Sequence, residues 1–78
     1  MPLPPNAKVI LYTRPGCHLC EDADKLLRKH GLNPQHVNID TDPELTNRYN
    51  LTIPVVEIDG KERFRGVVNE MLLKRLLA

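Results

Sequence analysis

Cys17 and Cys20 sit three positions apart in the stretch TRPGCHLCED, and they are the only cysteines of the chain. Thiols at this spacing support three outcomes. They can cycle between dithiol and disulfide, they can supply part of a metal site, or they can be two small core residues without chemistry. Redox cycling requires the sulfurs to meet. Residues i and i+3 of a first helical turn fall within the roughly 4.4–6.8 Å Cα separation that a disulfide needs. A metal site would draw on His30 and His36, which follow in C-x2-C-x9-H-x5-H spacing. A zinc finger has a central gap of about twelve residues and the order ββα, and neither holds here. His30 therefore reads as a helix-terminus side chain and His36 as a strand surface residue.

The flanking pattern says what must position the pair. Lys8–Thr13 is an apolar, β-branched run closed by Arg14-Pro15-Gly16, and it predicts a strand buried on both faces. Residues 17–30 switch to helical spacing, with Leu19, Ala23, Leu26, Leu27 and His30 on one stripe and Gly31 at the C-cap position. Gln35–Asp40 alternates and predicts a second strand with Val37 and Ile39 on one face. Asp42 and Pro43 open a second helix, predicted over 43–49, as N-cap and first helical residue. Val55–Ile58, Asp59-Gly60 and Lys61–Arg65 form a β-hairpin, because Asp-Gly suits the primed turn. Asn69 caps a last helix with the stripe Met71, Leu72, Leu73, Leu76 and Leu77. The order β-α-β-α-β-β-α, with a right-handed first crossover, predicts one four-stranded mixed α/β sheet, its first strand in the middle.

This layout makes the two cysteines unequal. Cys17 lies at the start of the first helix, where unpaired backbone N–H groups and the helix dipole favour a thiolate. Cys20 shares the buried side with Ala23 and Leu27. The asymmetry suits thiol–disulfide exchange, with Cys17 attacking and Cys20 resolving the mixed disulfide. Gly16 admits close backbone approach. A charged His18 near the sulfur would stabilise the thiolate, whereas a solvent-facing His18 would not. The sequence leaves both open.

Length and composition bound the rest. Seventy-eight residues make one domain, 1–78, with residues 1–6 a loose, Pro-rich leader unlike a signal peptide. The net charge is +1 and only Tyr12, Tyr49 and Phe64 are aromatic, which argues against a nucleic-acid surface. No run is apolar enough to span a membrane. The expected compartment is the cytoplasm, where lasting structural disulfides are rare, and a monomer is expected.

Thr52-Ile53-Pro54 precedes the third strand. Proline is tolerated at a strand's first residue, and its position alone allows a trans or a cis bond. Taken together, R-P-G-C-H-L-C after a strand, T-I-P some thirty residues later and the Asp-Gly hairpin resemble the glutaredoxin-like branch of the thioredoxin superfamily, in particular small bacterial proteins carrying C-H-L-C. The resemblance runs from Lys8 to Leu77. It implies the thioredoxin-like, glutaredoxin-type fold and a thiol–disulfide oxidoreductase, with Cys17 the nucleophile and Cys20 the resolving cysteine. It implies a cis bond before Pro54, packed beside the cysteines. Thr52, Ile53 and Pro54 would then be substrate-binding, with the Ile53 backbone pairing with an incoming peptide or glutathione. Arg14 matches a basic residue near the glutathione carboxylate.

The implied partners are a disulfide-containing protein or a glutathione mixed disulfide. No bound cofactor and no metal are expected, and glutathione is the implied reductant. The chain departs from the pattern in three ways. It has His18-Leu19 where Pro-Tyr is usual, Gly66 is followed by Val67 instead of a second glycine, and Asn69-Glu70 stands where an Asp is usual. Two other function classes remain on the residues alone. One is a redox-sensing or adaptor module without turnover. The other is a metal or iron–sulfur centre completed by a second chain or by glutathione.

Overall fold

The computed structural model describes residues 8–77. The expected leader at 1–6 lies outside the described residues. The chain order is β1 (Val9–Thr13), α1 (His18–Lys29), β2 (Gln35–Asn38), a 3-10 turn (Ile39–Thr41), α2 (Pro43–Tyr49), β3 (Val55–Ile58), β4 (Lys61–Arg65) and α3 (Glu70–Leu77). One sheet runs β2-β1-β3-β4. β1 pairs parallel with β2 and antiparallel with β3, and β3 pairs antiparallel with β4. β1 is interior, as its apolar run predicts.

Strand alternation divides the core in two. Val9 and Leu11 of β1 and Val56 and Ile58 of β3 join Ala23 and Leu27 of α1 and Leu73 of α3 on one face. Tyr12 and Val55 point the other way, into a smaller cluster with Ile39 and Tyr49, where the Tyr12 and Tyr49 rings are 4.7 Å apart. The second face is covered by a helix of only seven residues, so Ile10 and Glu57 stay half-buried there.

The caps act as the sequence predicts. Gly31 takes φ +84° after α1, Gly31 N–H donates to the Arg28 carbonyl (3.0 Å) and Leu32 N–H to the Leu27 carbonyl (3.0 Å). This double bond pattern satisfies two helix-end carbonyls and tucks Leu32 into the core. The Asp42 carboxylate accepts from Glu44 N–H (2.9 Å), and Asn69 Oδ1 from Leu72 N–H (3.2 Å). Asp59 and Gly60 both have positive φ, as the primed turn requires.

Three expectations need correction. The second strand stops at Asn38, not Asp40: Asn38 Oδ1 accepts from Asp40 N–H (2.9 Å) and turns the chain into the 3-10 turn. Ile39 is fully buried by that turn rather than by strand alternation. In α3, Met71 and Leu72 do not join the core stripe and are exposed, leaving Leu73 fully buried and Leu76 and Leu77 half-buried. Leu19 of α1 is likewise exposed.

Candidate redox site

β1 delivers the chain to the end of the sheet, and Arg14–Gly16 turns it into α1. Cys17 N–H donates to the Arg14 carbonyl (3.3 Å), and Gly16 takes φ +81°, a conformation that glycine adopts without steric cost. Cys17 is the N-cap of α1. Its Sγ accepts from the backbone N–H of Cys20 at 3.1 Å, so the thiol group stands where Ser or Asp commonly caps a helix. The Cys17 carbonyl accepts from Glu21 N–H (3.1 Å) and starts the helical ladder. Cys17 and Cys20 form a disulfide with their Cα atoms 5.2 Å apart. Cys17 is half-buried, whereas Cys20 is 2% exposed on the side of Ala23 and Leu27.

An open groove of about 540 Å³ runs from the disulfide along α1 toward the end of β2, lined by Arg14, Cys17, Cys20, Glu21, Asp24, Lys25, His36 and Asn38 among others. Most of its charges are engaged. Arg14 Nη2 is 2.7 Å from Asp40 Oδ1, while Arg14 Nε is buried without a partner. Asp24 accepts from His36 Nε2 (2.7 Å) and Arg28 Nε (3.0 Å). Burial pushes the Asp24 carboxyl up, but these bonds outweigh it and hold the group below its ordinary value of 3.8. Lys25 forms no ion pair among the described residues.

The groove brings Arg14 and Gly16 together with both cysteines. It does not include His18, whose side chain is 94% exposed with Nδ1 3.8 Å from Glu21 Oε2. Nor do Thr52, Ile53 or Pro54 line it. These three are fixed by bonds of their own. The N–H groups of Thr52 and Ile53 both donate to the Tyr49 carbonyl (3.0 and 3.2 Å). The Ile53–Pro54 bond is cis, Pro54 is fully buried, and its carbonyl accepts from Gly66 N–H (2.8 Å). Internal bonding of the Ile53 N–H leaves that donor unavailable to an incoming chain in this state.

Sequence reasoning did not single out Lys25, Asp24, His36 or Asn38 as site residues. For the helix residues a signal existed: Cys17, Cys20, Glu21 and Asp24 follow one stripe at offsets of three and four. For His36 and Asn38 the signal is tertiary. Parallel pairing sets Leu11 opposite His36 and Thr13 opposite Asn38, which brings the end of β2 beside the cysteine turn. His36 is engaged by Asp24, and His30 Nε2 lies 2.9 Å from Glu70 Oε2. Among the described residues no group of three or more His, Cys, Asp or Glu side chains is placed to hold a metal ion, and no helix is long and apolar enough to cross a membrane.

A four-stranded mixed sheet with a Cys-x-x-Cys disulfide capping its first helix, and a cis-proline ahead of the antiparallel hairpin, defines the thioredoxin-type class. Residues 8–78 match the family model described as Glutaredoxin-like domain (DUF836), and the chain belongs to that family. Among solved structures, protein Ne2328 from Nitrosomonas europaea is 29% identical with a TM-score of 0.80, covering 92% of each chain. Protein XcR50 from X. campestris is 30% identical with a TM-score of 0.74, covering 86% of this chain and 91% of its own. The glutaredoxin (grx-1) from Archaeoglobus fulgidus shares the fold at 23% identity, with a TM-score of 0.64 over 91% of this chain and 86% of its own. No curated protein is similar enough to this chain to match it.

Proposed function

We propose that this chain is a thiol–disulfide oxidoreductase in which Cys17 is the nucleophile and Cys20 the resolving thiol. The observation that carries this is the inequality of the two sulfurs: Cys17 caps the helix and is half-exposed, while Cys20 is buried one turn on. In the reduced protein the Cys20 N–H and the N-terminal end of the α1 dipole favour a Cys17 thiolate. That thiolate attacks one sulfur of a substrate disulfide, forms a Cys17 mixed disulfide and expels the first substrate thiolate. Cys20 then attacks Cys17 Sγ, expels the second, and leaves the Cys17–Cys20 disulfide. The substrate gains two electrons and the protein loses two. Two thiols, or one dithiol, restore the reduced state.

The substrate side is a disulfide-containing protein or a glutathione mixed disulfide, with glutathione as a candidate reductant and the cytoplasm as the compartment. Arg14, beside the cysteines, supports an anionic group on the partner, and its contact with Asp40 holds the guanidinium in place. The test is trapping. A Cys20→Ser variant challenged with a small disulfide is expected to accumulate one adduct, on Cys17. Cys17→Ser is expected to form none and to lose disulfide-reducing turnover. Turnover retained by Cys17→Ser would refute the assignment.

A further inference from the structure

Asp24 is held from two sides. His36 Nε2 lies 2.7 Å from Asp24 Oδ1, and Arg28 Nε lies 3.0 Å from each Asp24 oxygen. The Asp24 side chain is only 20% exposed, that of His36 48%, and both line the groove that holds Cys20. Asp24 follows Cys20 by four residues on α1, so their Cβ atoms are about 6 Å apart. Side chains of a helix lean toward its N-terminus, which carries the Asp24 carboxylate back toward Cys20. Parallel pairing with β1 brings His36 in from the other side, opposite Leu11.

The bonding fixes which nitrogen of His36 is free. An ionised carboxylate only accepts hydrogen bonds, so His36 Nε2 carries the hydrogen that faces Asp24. In the neutral ring Nδ1 is then the acceptor, and it has no partner among the described residues. A base oriented by a carboxylate and set near a thiol is an arrangement that activates a sulfur nucleophile. The other charged side chains facing the pair are Arg28, Lys25 and Glu21 of α1 and Arg14 of the preceding turn, while β1 contributes only Leu11 and Thr13. Of these side-chain types and the pair's own, only an imidazole ordinarily exchanges a proton near neutral pH.

We propose that the Asp24–His36 pair serves the resolving step: His36, oriented by Asp24, takes the proton of the Cys20 thiol through groove water. This rests on the oxidoreductase reading of Cys17 and Cys20 and adds the proton acceptor that the reading leaves unassigned. Cys20 is 2% exposed, and a thiol must lose its proton before its sulfur can attack. The step balances. Cys20 gives its proton to His36 Nδ1, and its sulfur forms a bond to Cys17 Sγ. The bond from Cys17 to the substrate breaks, and the substrate sulfur leaves with the electron pair and takes up a proton. In the reverse direction an imidazolium at His36 protonates Cys20 as the disulfide opens. Asp24 is a positioning residue in this scheme, because it acts through His36.

The test separates the two halves of the reaction. Reduced protein is mixed by stopped flow with equimolar dithiobis(nitrobenzoate), which releases one coloured thiolate when Cys17 attacks and a second when Cys20 resolves. His36→Gln is expected to slow the second release about tenfold at about pH 6.5 and to leave the first unchanged. The gap is expected to close toward about pH 9.5, where thiols ionise unaided. Asp24→Asn is expected to act in the same direction, through loss of the orienting charge. A second release unmoved in both variants, or slowed equally at every pH, overturns the proposal: the pair then only ties β2 to α1, and the oxidoreductase reading stands. Both releases slowing together overturns it as well. Absence of the second release in the unaltered protein overturns the oxidoreductase reading and the proposal with it.

Discussion

The backbone N–H of Cys20 points at the Sγ of Cys17 across 3.1 Å, so one cysteine's amide caps the other cysteine's sulfur. The same turn buries the Cys20 side chain and leaves Cys17 half-exposed. Reduced protein is therefore expected to alkylate at Cys17 first. At neutral pH and limiting iodoacetamide, Cys17 should carry at least about ten times more label than Cys20, because its thiolate is stabilised and reachable. Equal labelling would contradict the asymmetry.

Leu27 couples the site to the core. It is fully buried between α1 and the sheet, and its carbonyl accepts the Leu32 N–H that closes the helix. Leu27→Ala is expected to cost about 2–5 kcal/mol, a large share of the stability of a domain this small. Urea unfolding measures it. A loss below about 1 kcal/mol would mean that α1 is not held by this packing.

Gly31 tests a backbone argument separated from packing. A Cβ at this position would meet nothing within 4 Å, so only the left-handed conformation at φ +84° opposes it. Gly31→Ala is expected to destabilise by about 1 kcal/mol without changing redox behaviour.

Asp24 gives a pH signature. Burial raises its pKa, but the bonds from His36 and Arg28 prevail and leave it below its ordinary 3.8. A carboxyl depressed in the folded state adds stability above its unfolded pKa, and that stability fades as pH falls through the folded pKa. Asp24→Asn should therefore be less stable than the parent protein at pH 6, with the gap closing below about pH 4. A gap that persists unchanged to pH 2 would place its origin in packing rather than charge.

Local chemistry made most of the scaffold legible. Gly31, Asp42, Pro43, Asn69 and Asp59-Gly60 each act through their own backbone or a near neighbour's, so their roles survive without tertiary knowledge. The continuous apolar run Val9–Tyr12 similarly announces a strand with cover on both faces. Ile39 misled because a buried apolar residue two after Val37 looks like continued alternation. The Asn38 side chain, by bonding Asp40 N–H, ends the strand instead. Met71 and Leu72 misled because a short run of apolar residues on an eight-residue helix exceeds the stripe one neighbouring sheet can cover. In the site, the cysteines and Arg14 were legible from spacing and resemblance. The groove was not, because it exists only where β2 comes alongside β1 and places His36 against Asp24.

The measurement that bears most directly on the account is a redox titration of the protein in glutathione buffers, with thiol trapping and mass spectrometry to locate each bond. The account predicts that Cys17 and Cys20 interconvert as one pair between dithiol and disulfide near the cytosolic poise of roughly −220 to −320 mV, with any mixed disulfide on Cys17. Two thiols that stay reduced and unadducted across that range would contradict it.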